Sequence, residues 1–122
     1  MRKNIKIGNI DYEMSSSAYT QFKYKNDTGR SLLKDLTEFG KRYENQDEKD
    51  IFKSIDSLDD TMNLVLRLAY VMITEADNKQ VGTFEDFLKQ TDNYLDDSEW
   101  IGEVVELATS PLSGNIQANK TN

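Results

Sequence analysis

Apolar and polar residues alternate from Ile5 to Met14 on both sides of Gly8-Asn9. Strict alternation is the signature of a half-buried strand, and Gly and Asn accept the positive φ that a two-residue turn demands. The pattern predicts a β-hairpin over residues 4–14. Its register pairs Ile7 with Ile10 and Ile5 with Tyr12 on one face, and Lys6 with Asp11 on the other. Two strands alone are only marginally stable, so the Ile/Tyr/Met face must pack on something else.

The period then changes from two to that of a helix. Ser15-Ser16-Ser17 offers N-caps for a helix carrying Ala18, Tyr19 and Phe22. The spacing places Tyr19 and Phe22 in the core. Gly29 interrupts. A second helix carries Leu32, Leu36, Phe39 and Tyr43, with Leu33 widening the stripe and Gly40 weakening its last turn. Lys34–Glu38 and Glu38–Arg42 are spaced for ion pairs on its outer face. Asn45 to Lys49 is a polar break before a helix with Ile51, Phe52 and Ile55.

Ser57-Leu58-Asp59-Asp60 reads as a capping box opening the next helix, which contains Leu64 to Ile73. That stretch is apolar almost all round, so it is expected to be the central buried helix. Asp77 to Gly82 is a loop. Thr83 and Asp86 form another capping box, ahead of Phe84, Phe87, Leu88 and Thr91 on one side. A final helix carries Trp100, Ile101, Val104, Val105, Leu107 and Ala108 behind the acidic start Asp96-Asp97-Ser98-Glu99, and Pro111 ends it. The expected architecture is mainly α: a single domain, residues 1–111, of about five to six helices with an N-terminal β-hairpin. Residues 112–122 read as a flexible tail with little to bury.

Composition narrows the chemistry. Hydrophobic residues make up 37% of the 122. Leu, Ile, Val and Phe together reach about 24%, enough for one modest core. Fifteen basic against 22 acidic residues leave a net charge of −7. That balance argues against a nucleic-acid partner or an anionic membrane surface, both of which call for clustered cations. The chain contains no Cys and no His. Disulfides, thiolate nucleophiles, Cys-type zinc sites and the commonest general base are therefore absent. No signal pattern and no bilayer-length apolar run appear; Arg67 interrupts the longest one. No cofactor and no metal site are expected.

Candidate reactive groups each have a plainer explanation. Asp56, Asp59 and Asp60, or Asp92, Asp96 and Asp97, could supply carboxylates for acid–base work, but both sets lie beside expected helix starts, where acids are favoured anyway. Asp92 to Glu99 is acidic but lacks the alternating ligands and central Gly of a calcium loop. The basic groups Arg2, Lys3 and Lys6, and Lys23, Lys25 and Arg30 near Tyr19, Phe22 and Tyr24, could stack and hold nucleic-acid bases. The net charge opposes that use. No phosphate loop or nucleophile elbow is present, so the chain is not expected to be an enzyme.

A protein-binding surface is the remaining candidate. The last helix has two apolar stripes, Trp100/Val104/Leu107 and Ile101/Val105/Ala108, more than one buried face needs. Trp100, Ile101, Val104, Val105 and Leu107 form the candidate surface, with Gly102 allowing close approach of another backbone. Either the helix is central to a small core or these residues meet a partner. On the second view, Trp100→Ala or Val104→Asp weakens association while the monomer stays folded. The open edges of the hairpin could also accept a strand from a neighbouring subunit.

Three stretches in order carry a resemblance: the hairpin with Ser15 to Leu33, the segment Leu68 to Ile73, and Glu99 to Pro111. Together the chain from Ile5 to Pro111 resembles the tail assembly chaperones of long-tailed phages and prophages of Gram-positive bacteria. The resemblance implies a small acidic helical protein that self-associates, coats the tape-measure protein and helps recruit tail-tube subunits. It further implies action in the host bacterial cytoplasm, absence from the mature virion, and no catalytic residues. Competing expectations are an acidic decoy for a nucleic-acid-binding protein, or another small morphogenesis protein such as a head–tail connector.

Overall fold

The computed structural model describes residues 1–45, 55–77 and 79–112. Strands β1 (Arg2–Ile7) and β2 (Ile10–Ser15) form an antiparallel hairpin. Five helices follow among the described residues: α1 (Ala18–Thr28), α2 (Leu32–Asn45), α3 (Ile55–Ala76), α4 (Phe84–Gln90) and α5 (Glu99–Thr109). The architecture is the expected small, mainly α domain with an N-terminal hairpin. Among the described residues no helix is long and apolar enough to cross a membrane.

The hairpin has the register read from its alternation: Ile7 faces Ile10, Lys6 faces Asp11 and Ile5 faces Tyr12. Gly8 takes φ +62°, as the tight turn requires. Ile5, Ile7, Tyr12 and Met14 are fully buried. Their face packs on α3 and α5. Van der Waals contact with those helices supplies the stability that two strands lack on their own.

Helix α3 is the central element, and α1, α4, α5 and β2 all pack against it. Val65, Leu68, Ala69, Val71, Met72 and Ile73 are buried along it. The expected capping box at Ser57 is not a helix start: the backbone is already helical at Ile55, so Ser57 lies inside the first turn. The Thr83 box is real. Asp86 N–H donates to Thr83 Oγ1, and the Asp86 carboxylate accepts from Thr83 N–H, both at 3.1 Å. Of the stripe expected behind it, Phe87 and Thr91 are buried and Phe84 packs partly, but Leu88 is exposed. Helix α2 runs through Gly40 to Asn45, with Leu32 and Phe39 buried and Leu33 exposed. The helix expected around Ile51 and Phe52 and the tail from residue 113 lie outside the described residues. Leu112, expected to open that tail, packs against the core.

Candidate protein-binding site

The residues expected to form a binding surface on the last helix lie inside the protein. Trp100, Ile101, Val104 and Leu107 are buried, together with Ala108; Val105 alone is partly exposed. Trp100 also donates Nε1–H to the carbonyl of Tyr94 at 2.8 Å, which removes the last polar demand of its ring. Two apolar stripes are needed because α5 packs on both β1 and α3. A helix wedged between two elements needs two faces, and the sequence width reflects that.

Helix α1 is reversed relative to expectation. Tyr19 is 59% and Phe22 68% exposed, whereas Thr20 and Tyr24 are buried. The reason is a polar interface. Glu75, near the end of α3, accepts from Ser17 Oγ at 2.9 Å and from Thr20 Oγ1 at 2.6 Å. Thr20 Oγ1 also accepts from the Ser17 amide at 2.8 Å, so the capping box of α1 is anchored on a carboxylate. One turn further on, Tyr24 OH donates to Asp35 at 2.6 Å. These bonds fix which side of α1 faces inward, and Tyr19 and Phe22, one turn apart, form an exposed aromatic ridge on the other. Phe22 also borders a shallow cleft of about 230 Å³ with Leu32 and Lys25.

Asp35 is the most demanding group at this junction. It is 2% exposed, and Arg30 grips both its oxygens, Nε at 2.9 Å and the terminal nitrogen at 2.8 Å. The hydrogen bond from Arg30 is the first cause that holds its carboxyl below the usual carboxylate range, and the bond from Tyr24 adds to it. Burial, reinforced by the Asp35 charge, pushes the Tyr24 phenol well above its ordinary value.

A groove follows the remaining face of α3. Asp60, Asn63, Leu64, Arg67, Tyr70 and Thr74 succeed one another at helical spacing along its floor. Tyr24 and Arg30 form its wall at one end, in a cleft of about 280 Å³. Lys23 and Asp27 form it at the other, in a more open hollow of about 410 Å³. Between them Arg67, Asp27 and Tyr70 line a small hollow that borders both. Arg67 Nε donates to Asn63 at 2.8 Å and its guanidinium lies 4.7 Å from the centre of the Phe84 ring. Tyr70 OH donates to the Gly82 carbonyl at 2.5 Å. The groove is thus a rigid, mixed surface of aromatic rings, fixed cations and carboxylates, suited to holding a polypeptide through several modest contacts.

Of the basic residues near α1, Lys23 pairs with Asp27 at 2.6 Å and Arg30 with Asp35, so two of those three charges are neutralised within the protein. Asp59, Asp60, Asp92, Asp96 and Asp97 are exposed, and Asp97 accepts from the Glu99 amide at the start of α5. Among the described residues no group of three or more acids is placed to hold a metal ion. In the sequence Arg67 stands out only as a break in an apolar run. Its spacing from Asn63, Tyr70 and Thr74 was the available sign of a polar face. No family model, no curated protein and no solved structure matches the chain.

Proposed function

We propose that this protein is a tail assembly chaperone of a long-tailed phage or prophage, acting by covering helical surface on other chains and not by making or breaking covalent bonds. The reading rests on the sequence resemblance. The structural observation that carries it is the aromatic ridge of α1, where Tyr19 and Phe22 are 59% and 68% exposed and Phe22 borders a cleft of mixed polarity. Large aromatic side chains dominate binding energy at protein interfaces, and a small domain gains nothing in its own stability by presenting them to water. The partner is the tape-measure protein, with tail-tube subunits and further copies of the chain as the other contacts. The net charge of −7 keeps coated complexes apart in solution. Coating takes place in the host cytoplasm and the chaperone leaves before the virion is complete.

Placing the surface on α1 instead of α5 changes the experiment. The double variant Tyr19→Ser/Phe22→Ser alters only exposed side chains, so circular dichroism should report an unchanged fold. Capture of the tape-measure protein encoded nearby should fall about tenfold or more, the loss of one or two interface anchors. Full capture by the folded variant removes the ridge as the binding surface. No capture by the wild-type protein removes the function. Salt dependence separates this reading from an acidic decoy: shallow for an apolar ridge, steep for a charged mimic.

A further inference from the structure

The two edges of the hairpin differ. Ile7 and Ile10 flank a two-residue turn, and such a closing pair exchanges both ladder hydrogen bonds. Bonded and non-bonded pairs then alternate. Ile5–Tyr12 and Lys3–Met14 are bonded; Lys6–Asp11, Asn4–Glu13 and Arg2–Ser15 turn their amides and carbonyls outward. The backbone contacts fix this phase independently. Met1 and Ser16, two residues beyond Lys3 and Met14, exchange bonds of 2.6 and 2.8 Å.

On β2 the outward groups at the middle of the strand are already taken. The Gln80 side-chain amide accepts from Glu13 N–H at 3.0 Å and donates to the Glu13 carbonyl at 3.1 Å, as a neighbouring strand would. On β1 the outward backbone groups of Arg2, Asn4 and Lys6 bond to none of the described residues, and all three residues are exposed. They recur every second residue, about 6.6 Å apart, the repeat of a pairing strand. The β2 edge is therefore blocked at its middle, and the β1 edge is open.

We propose that the outer edge of β1 is a docking site for an extended acidic segment of a partner polypeptide, added as a third strand. The charge pattern selects the occupant. β1 carries Arg2, Lys3 and Lys6 and no acid, while β2 carries Asp11 and Glu13. Arg2 pairs with Glu13 at 3.1 Å across the existing ladder. Acids on a third strand, opposite Arg2 and Lys6, repeat that relationship on the other side. A second copy is a poor occupant. Its β1, laid antiparallel about Asn4, sets Lys6 against Arg2, and its β2 is closed by Gln80. Nucleic acid offers phosphates but no alternating N–H and C=O to complete the ladder. The net charge of −7 works against an acidic partner at long range, and Lys3 is held by Glu103 of α5 at 3.2 Å, but screening over about 8 Å leaves Arg2 and Lys6 in control at contact.

The test uses the full-length isotopically labelled protein and two blocked seven-residue peptides, one alternating Glu and Val, the other Lys and Val. The acidic peptide should shift and protect the Asn4 and Lys6 amides, and the basic one should bind about tenfold more weakly or not at all. Asn4→Pro removes an outward donor without removing a ladder bond, so Ile5 and Ile7 should stay protected while peptide binding is lost. Lys6→Glu should reverse the preference between peptides, and it decides the matter if the proline variant misfolds. Equal binding of both peptides, no response at Asn4 and Lys6, or undiminished binding by a folded Asn4→Pro protein overturns the proposal. So does concentration-dependent protection of this edge without peptide, which would assign it to a second copy. The Tyr19→Ser/Phe22→Ser variant leaves β1 intact, so this edge and the ridge on α1 succeed or fail separately.

Discussion

Gly8 lies so close to the backbone of Asp92 that a Cβ at position 8 would overlap the Asp92 carbonyl oxygen. The hairpin turn is thereby seated on the loop between α4 and α5. Two requirements meet at one residue, since Gly8 also holds φ +62°. Gly8→Ala is expected to cost about 1–2 kcal/mol for the left-handed backbone and more for displacing Asp92. Urea unfolding should show a total loss of about 2–4 kcal/mol. A loss below about 1 kcal/mol would mean that the turn and the loop are not in contact in solution.

Trp100→Ala should be among the most damaging single changes. The ring is 2% exposed and is the largest side chain buried in the core. Truncating such a side chain costs about 3–5 kcal/mol. Loss of near-ultraviolet ellipticity and of the cooperative thermal transition is the expected outcome. A folded, fully stable variant would return this residue to the partner-binding role, one of the two that its sequence context allows.

The Arg30–Asp35–Tyr24 junction predicts a pH dependence with a definite sign. The Asp35 carboxyl is held below its unfolded value, so its contribution is present above the ordinary carboxylate range and is lost as pH falls through the lowered folded value. The Tyr24 phenol is raised, so its contribution is present below about 10 and fades as pH climbs beyond that. Asp35→Asn should weaken the protein by about 2–3 kcal/mol at neutral pH, discounted for the exposed side of Arg30, and flatten the acid limb of its stability curve. An acid limb unchanged in that variant would count against the assignment.

Gln80→Ala should open the second edge of the hairpin. Two hydrogen bonds to Glu13 disappear, but water can replace both, so the stability cost is about 1 kcal/mol or less. The sharper readout is amide exchange, in which Glu13 should become several-fold faster while Tyr12 and Met14 do not change. Uniform acceleration along β2 would point to fraying of the whole strand instead.

The hairpin was legible to its register because every determinant lies within ten residues: the alternation, the turn dipeptide and the opposed charges. The Thr83 cap was legible for the same reason. The Ser57 cap looked identical, yet the chain was already helical there. Burial of α1 was not legible at all. Its orientation depends on Glu75 and Asp35, and Ser17 and Thr20 are 58 and 55 positions away from Glu75. Periodicity weighs only apolar side chains, so a helix docked through hydroxyls is read with the wrong face inward. The same blindness hid the groove, whose floor is the polar stripe of a helix judged from its apolar residues.

The polar docking of α1 has a thermodynamic signature. An element held by bonds to two carboxylates, with its aromatic ridge already wet, uncovers no buried apolar side chain of its own except the Tyr24 ring when it lifts away. Its release should therefore show a small heat-capacity change and a shallow response to urea. What resists the lifting of the first helix is therefore chiefly its bonds to Glu75 and Asp35, and not oily contact from its own side chains.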